Sequence, residues 1–203
     1  MSVTELHDVD AILAMIAAGG VVLMILARLI PSVSSVRFLD GLYKWQLPLA
    51  ALVATTASLG SLYFSEYGNH WQPCRFCWFQ RIFMYSAAVI LILAAIRRDR
   101  GVRWYAVALA TIGLLVSLWH NLLERGVVEE SKECAATVPC ATPYLISFGH
   151  RDPTTLRPTG FPSITLAVMA FCGFAAILAL LLLPEPLEPA TMEEQQDGEP
   201  AAG

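Results

Sequence analysis

Residues 73–96 read PCRFCWFQRIFMYSAAVILILAAI. From residue 78 onward this stretch is almost entirely apolar, and about 20 such residues let one helix cross the roughly 30 Å of hydrocarbon in a bilayer. Further apolar runs of similar length occur at 11–30, 47–64, 104–122 and 162–183. The sequence therefore predicts five membrane crossings by helices.

The composition of the whole chain also indicates a membrane protein. Of its 203 residues, 56% are hydrophobic and 15% are charged, and the mean hydropathy is +0.58. That balance is unusual for a soluble domain of this size. Glu5, Asp8 and Asp10 precede the first run, which has no Lys or Arg before it, and this is the wrong charge for a secretory signal. We interpret 11–30 as a span; the alternative is a segment that lies on the surface or is removed.

The acidic excess does not indicate a particular partner. It lies largely in the Pro-, Glu- and Gln-rich tail, residues 184–203, whose composition is typical of disorder. The sequence has no basic block with interleaved aromatic residues. Membrane lipid is therefore an expected partner and nucleic acid is not.

Positive charges fall into two groups, and loops that carry such groups face the cytoplasm. One group follows the first span and the other separates the third and fourth spans: Arg28, Arg37 and Lys44, then Arg97, Arg98, Arg100 and Arg103. The connections at 65–77 and 124–161 are then expected outside the cell. Because two crossings separate them, they emerge on the same side whatever the absolute orientation.

Four of the five cysteines lie in these two outer connections. Cys74 and Cys77 form a Cys-x-x-Cys motif, and Cys134 and Cys140 form a second, wider pair. Two pairs that face an oxidising compartment indicate disulfide chemistry. A helix that starts near residue 78 would stabilise a thiolate at Cys77 through its unpaired N–H groups and its dipole.

Other interpretations of the cysteines stay open. Two inert disulfides could staple the outer connections, and four cysteines are also enough ligands for a zinc ion. Cys172 lies within the last span and is interpreted as a small buried hydrophobic residue.

Two polar residues near the span ends are candidates for the chemistry. Arg81 lies one helical turn beyond Cys77 on the same face, where it could hold the Cys77 thiolate or an oxygen of an electron acceptor; the alternative is a snorkelling interfacial arginine. His120 closes the fourth span on the cysteine side, where it could relay protons or serve as an interfacial polar residue. Four tryptophans near the span ends are interpreted mainly as interfacial anchors: Trp45, Trp71, Trp104 and Trp119. Ring stacking is the alternative considered for Trp71 or Trp78.

The run from Gln72 to Tyr85 resembles the quinone-facing motif of the DsbB/BdbC family, the disulfide bond formation protein B group. In that motif Pro-Cys-x-x-Cys-Trp is followed by Gln-Arg and a hydrophobic helix. A second set resembles the BdbC branch, whose second cysteine pair is closely spaced: Trp119-His120, Cys134, Val138-Pro139-Cys140 and Tyr144. The resemblance covers roughly residues 46–183.

The resemblance implies an all-α, polytopic membrane protein whose core is a four-helix transmembrane bundle at 46–183. Residues 1–45 would add one further N-terminal transmembrane helix and a cytoplasmic connection, which are not part of the usual pattern. The acidic tail, 184–203, would follow the bundle.

The resemblance also implies a thiol:quinone oxidoreductase of the bacterial inner membrane that uses ubiquinone or menaquinone. Cys134 and Cys140 would exchange with an extracytoplasmic thioredoxin-like oxidant of the DsbA/BdbD type, and which of them is attacked first stays open. Cys77 would lie beside the quinone with Cys74 as its exposed partner. Arg81 and His120 are the predicted quinone-site residues, and no metal is expected.

Two other kinds of protein remain as alternatives. A structural or transport bundle could carry the cysteine pairs as fixed staples in its outer loops. A vitamin K epoxide reductase-like enzyme shares the chemistry, but that family places its quinone-proximal Cys-x-x-Cys late in the chain, the reverse of the order here.

Overall fold

The computed structural model describes residues 2–30, 32–67, 72–129 and 138–185. In these ranges the chain forms five α-helices and a two-stranded antiparallel ribbon: α1 (Val3–Leu29), α2 (Val33–Glu66), α3 (Arg75–Arg97), α4 (Arg103–Glu124), β1 (His150–Arg151), β2 (Pro158–Thr159) and α5 (Leu166–Leu181). Trp71, Cys134 and the tail beyond residue 185 lie outside the described residues.

The helices α1 to α4 are long and apolar enough to cross a membrane, which confirms the predicted all-α polytopic class. The last helix is shorter than the predicted run at 162–183. Thr165 caps α5 by accepting the Val168 N–H at 3.3 Å, so the helix begins only at Leu166. Its 16 residues are apolar and span roughly 24 Å.

The helices α2, α3, α4 and α5 pack as a ring in which each contacts the next and α5 closes onto α2. Helix α1 lies outside this ring and packs against α5 and α2. Small residues permit the close contacts, as is usual for helices in membranes. At Gly113 of α4, an added Cβ would lie 2.3 Å from the ring of Phe174 on α5. The arrangement is the predicted four-helix bundle with one additional N-terminal helix.

Helix α2 extends well beyond the predicted span at 47–64. Its 34 residues form one helix with Pro48 inside it, so the predicted connection after the first span is largely helical. At this end of α2 the guanidinium of Arg100, from the turn between α3 and α4, lies 4.5 Å from the centre of the Tyr43 ring. The two positive groups therefore lie at the same end of the bundle.

The opposite end of the bundle is covered by residues 138–165, which we call the outer segment. Its ribbon pairs His150 with Thr159 and Arg151 with Pro158. The segment then returns to α5, and Ser147 and Ile164 exchange two backbone hydrogen bonds of 2.9 Å. The outer segment therefore lies over the start of α3 and the end of α4.

Candidate active site

Cys74 and Cys77 lie at the first turn of α3. Cys74 is the N-cap residue, and its Sγ accepts the Cys77 backbone N–H at 3.4 Å. The helix thus starts at Arg75, earlier than the predicted start near residue 78. The two sulfur atoms are unbonded and 2.9 Å apart. A thiol pair at this distance needs only a small motion to close into a disulfide, in which sulfurs are about 2.05 Å apart.

Cys140 reaches this pair from the outer segment. It is 2% exposed and forms a small buried cluster with Cys74, bordered by Phe76, Cys77 and Val138. Two connections far apart in sequence therefore contribute sulfur atoms to one site, as their placement on one side of the bundle allows. Of the four predicted redox cysteines, Cys74, Cys77 and Cys140 lie together, and Cys134 is outside the described residues.

The burial of the first pair is the reverse of what the resemblance implies. Cys74, expected as the exposed member, is 4% exposed, because the part of the outer segment that carries Cys140 packs over it. Cys77 is only partly buried and lines a cavity. The two cysteines of the motif therefore have different surroundings: Cys74 is covered by the outer segment, and Cys77 faces the cavity.

The surroundings of Cys74 favour its neutral thiol. The hydrogen bond with Cys140 lowers the pKa of Cys74, but the hydrogen bond with Cys77, burial and the nearby charge of Cys77 raise it, and the net pKa lies well above that of an ordinary thiol. An anion at Cys74 therefore requires a neighbour that can donate a hydrogen bond to it.

His120, at the end of α4, is one such neighbour besides Cys140. Its Nε2 lies 3.7 Å from Cys74 Sγ and 3.2 Å from the Cys140 carbonyl oxygen, and its Nδ1 lies 3.3 Å from Gln80 Nε2. If Gln80 Nε2 donates to Nδ1, the ring proton is on Nε2 and faces the sulfur and the carbonyl. His120 was predicted as a quinone-site residue, but the structure places it beside the thiols and not among the cavity-lining residues.

Two further side chains belong to the site, Glu124 and Gln80, and neither is among the site residues predicted from the sequence. Glu124 is 3% exposed; its Oε1 lies 3.9 Å from His120 Nε2, and its Oε2 accepts the Thr165 hydroxyl at 2.6 Å. Its only sequence signal was the spacing of four residues from His120. Gln80 lies on a different face of α3 from Arg81 and is buried against His120.

Arg81 links α3 to α2. Its Nε donates to Ser61 Oγ at 3.0 Å, its Nη2 donates to the Ser61 carbonyl oxygen at 2.8 Å, and the Tyr85 hydroxyl donates to the same Oγ at 3.3 Å. The guanidinium carbon lies 5.6 Å from the centre of the Trp78 ring, which is 54% exposed and does not line the cavity. Arg81 is therefore fixed at the cavity wall, and Trp78 has the position of an anchor.

A cavity of about 460 Å³ lies beside Cys77, between α1, α2, α3 and α5. Most of its lining is apolar, with a few polar side chains that include Ser61, Gln80 and Arg81. Ligand sites of roughly 300–1,000 Å³ commonly combine apolar walls with a few placed polar groups. A quinone head group needs apolar walls and donors for its carbonyl oxygens, so the residues present fit it.

The same cysteines also offer metal ligands. One ligand atom each from Cys74, Cys77 and His120 lies within 4.8 Å of the others, a donor set that suits an ion such as Zn²⁺. The redox interpretation has the additional support of the cavity at Cys77.

Comparison with known proteins identifies relatives over most of the chain. The sequence profile of the family "Disulfide bond formation protein DsbB" matches residues 43–184. A "Probable disulfide formation protein" of Deinococcus radiodurans is 45% identical over 141 residues, which cover 68% of this chain and 88% of that protein. "Disulfide bond formation protein C" of Bacillus subtilis is 37% identical over 134 residues, which cover 65% and 86%. No solved structure matches.

The profile covers more than half of the chain and includes all the cysteines that the structure brings into contact. Cys74 and Cys77 lie at the start of α3, one of the helices able to cross a membrane, and Cys140 packs against them from the outer segment. The relatives bear the names of disulfide-forming proteins. The chain therefore belongs to the DsbB family of disulfide bond formation proteins and is a multi-pass membrane protein-disulfide oxidoreductase.

Proposed function

We propose that this protein reoxidises an extracytoplasmic thioredoxin-like thiol oxidase of the DsbA/BdbD type and passes the electrons to a membrane quinone, ubiquinone or menaquinone. The observation that carries the proposal is the packing of Cys140 against Cys74, next to a cavity that Cys77 and Arg81 line. It gives electrons a route from the outer segment to the cavity through sulfur atoms alone.

The first exchange takes place at the outer pair. A thiolate of the reduced partner attacks the Cys134–Cys140 disulfide, and the partner's second cysteine resolves the mixed disulfide. The partner leaves oxidised, and Cys134 and Cys140 are reduced. The Cys140 thiolate then attacks Cys74, the neighbour in its buried cluster, and the Cys74–Cys77 bond breaks with Cys77 leaving as a thiolate.

The second exchange restores the outer pair. Cys134 attacks Cys140, which re-forms their disulfide and releases Cys74 as a thiolate. The Nε2–H of His120, 3.7 Å from this sulfur, stabilises the charge that develops there. Glu124 Oε1, 3.9 Å from the same nitrogen, lies on the side of the ring that carries this N–H.

The acceptor side uses the residues around Cys77. A quinone held in the cavity would supply a two-electron acceptor. Cys74 and Cys77 give up two electrons as they close into their disulfide, and the two protons that the partner's thiols have released would complete the quinol. Ser61 holds Arg81 so that the remaining N–H groups of the guanidinium are available to a carbonyl oxygen in the cavity. The apolar walls keep water and bulk thiols away from Cys77.

The positive charges support the orientation of this route in the bacterial inner membrane. The turn between α3 and α4 is rich in arginine, and the inner end of α2 packs against it. With this end in the cytoplasm, the opposite end, with the cysteines and the outer segment, faces the compartment in which the partner is found.

The decisive experiment follows quinol formation by purified protein supplied with a quinone and a reduced thioredoxin-like oxidase. We expect quinol from the wild type and none from Cys77→Ser. Cys172→Ser, which changes a cysteine of α5 outside the site, is the matched control and retains activity. Wild-type protein that forms no quinol, and whose disulfides stay unchanged in the presence of the reduced partner, would favour the stapled structural bundle instead.

The same assay separates the role of Arg81 from that of the cysteines. Arg81→Ala should raise the quinone KM by about 10-fold, equivalent to about 1.4 kcal/mol, because the carbonyl oxygen loses its donor. Exchange with the partner should stay unchanged, since Arg81 bonds Ser61 and not the thiols. Equal losses in both half-reactions would contradict this role.

A further inference from the structure

Helix α1 forms one wall of the cavity although it precedes the residues that the family profile matches. The match begins at residue 43, and α1 ends at Leu29. The cavity lining nevertheless includes five α1 residues: Asp10, Leu13, Ala14, Ile16 and Ala17. The additional helix therefore adds a wall to the site that the four-helix ring alone would lack.

The outer end of α1 is fixed against the outer segment. His7 is 1% exposed, and its Nδ1 lies 2.7 Å from the Ser147 hydroxyl, which in turn donates to Asp8 Oδ1 at 2.6 Å. The His7 ring also meets Phe64 of α2 edge to face, with 5.9 Å between the ring centres. These contacts set the depth and rotation of α1 just before Asp10.

Asp10 brings a carboxyl group to the cavity from this wall. The group lies directly over Gly60 of α2, where an added Cβ would be 2.9 Å from Asp10 Oδ2. The next residue, Ser61, is the one that holds Arg81. Among the described residues, Asp10 has no hydrogen-bond or ion-pair partner, so its carboxyl is available to a ligand in the cavity.

We infer that Asp10 is a catalytic residue of the quinone site that hydrogen-bonds a ring oxygen and supplies a proton to it. This inference rests on the proposed function. A quinone oxygen can only accept a hydrogen bond, so the carboxyl must be protonated to bind it, whereas the carboxylate can accept from the hydroxyl of the quinol. The Asp10 proton moves to the oxygen that the dithiol electrons reduce, and a proton released by the thiols restores the carboxyl.

The other titratable or charged side chains of the described cavity wall are few. Cys77, Arg81 and Tyr85 come from α3 and Tyr144 comes from the outer segment, while α2 and α5 contribute none. Asp10 is therefore the acidic side chain among the described residues that line the cavity, and it can complement Arg81 by serving a different oxygen of the ring.

The first test compares Asp10→Asn and Asp10→Leu with Glu5→Gln, an exposed carboxyl of the same helix. Asn can donate a hydrogen bond but no proton, so Asp10→Asn should keep the quinone Kd within about 3-fold and lower kcat by about 10- to 100-fold. Asp10→Leu should lower both affinity and kcat. Affinity is read from the rise in unfolding temperature that a short-chain benzoquinone or naphthoquinone produces in the solubilised protein.

The second test changes the wall that α1 contributes to the cavity. Ala14→Phe places a ring in the cavity, whereas Ile12→Phe adds the same ring to an exposed face of α1 that does not line it. We expect the thermal shift produced by quinone to be lost in Ala14→Phe and kept in Ile12→Phe. Equal thermal shifts in Ala14→Phe and Ile12→Phe, or a wild-type kcat in Asp10→Asn, overturn the inference and leave the proposed function intact. A wild type that neither binds nor reduces quinone overturns both.

Discussion

The three described cysteines of the site divide their contacts between two sides. Cys140 and His120 contact Cys74, whereas Cys77 borders this cluster and lines the cavity. The rate of thiol–disulfide exchange depends on which sulfur the attacking thiolate can reach. The packing therefore favours Cys74 over Cys77 as the sulfur that Cys140 attacks.

A trapping experiment tests this choice. In Cys77→Ser, Cys134→Ser protein, we expect Cys74 and Cys140 to form a disulfide on mild oxidation, because they share a buried cluster. Non-reducing electrophoresis and mass spectrometry measure the product. In the control, Cys74→Ser, Cys134→Ser, the link between Cys77 and Cys140 should form about 10-fold more slowly, a barrier difference of about 1.4 kcal/mol. Equal rates would argue against the proposed order of exchange.

His120 offers a second test at the residue scale. Loss of a hydrogen bond to a charged group costs about 1.5–3 kcal/mol, so His120→Ala should lower kcat by about 10- to 100-fold. The quinone KM should hardly change, since His120 does not line the cavity. Steady-state kinetics with each substrate varied in turn measure both constants, and His150→Ala, at an exposed position of β1, is the control. A raised quinone KM at unchanged kcat would instead support the role predicted from the sequence.

At the scale of elements, the contact between α4 and α5 shapes the cavity. Gly113 lets α4 approach the ring of Phe174, which is fully buried and also lines the cavity. Any side chain at this position must push that ring or separate the helices. The stability of the bundle and the shape of the acceptor site are therefore linked through one glycine.

Gly113→Ala should destabilise the protein by about 1–3 kcal/mol, the usual cost of overpacking a filled core. It should also weaken the thermal shift produced by quinone if the displaced Phe174 ring moves into the cavity. Thermal unfolding of the solubilised protein measures both effects. Gly19→Ala on α1 is the control, because an added Cβ there meets nothing within 4 Å. Identical unfolding temperatures for the two variants would show that the contact is not tight.

At the scale of the whole molecule, the orientation can be tested by labelling. In a variant with its native cysteines replaced, Thr155→Cys places a thiol on the exposed outer segment and Asp99→Cys places one in the turn between α3 and α4. A membrane-impermeant maleimide added to intact cells should label the first and not the second, because positive turns face the cytoplasm. The opposite pattern would place the cysteines in the cytoplasm and close the proposed electron route.

Much of the architecture could be predicted from the sequence because the bilayer fixes the length of a spanning helix. Hydropathy located α1 to α4, and the even number of crossings between the two cysteine-bearing connections placed them on one side. The start of α5 could not be predicted in this way, because hydropathy is averaged over a long run and the short stretch 162–165 does not interrupt that run. The helix starts where Thr165 caps it.

The inner details of the site depend on which faces of the helices meet. Helix α3 is apolar on most of its surface, so the sequence alone did not show that Gln80 turns toward His120 while Arg81 turns toward Ser61. In the sequence, Glu124 looks like a carboxylate of an exposed connection. Its place in the site follows only from its contacts with Thr165 and His120 in the structure. The contribution of α1 to the cavity likewise depends on packing that no local pattern encodes.

The separate neighbourhoods of Cys74 and Cys77 have a consequence for kinetics. A donor that docks at the outer segment and an acceptor that enters between the helices do not occupy the same space, so the enzyme should show a two-site ping-pong pattern. The oxidised partner would then be a competitive inhibitor only of the reduced partner, and quinol would be a competitive inhibitor only of quinone. An inhibitor bound at the donor site could not be displaced by an excess of quinone. An inhibitor bound in the cavity could not be displaced by an excess of donor.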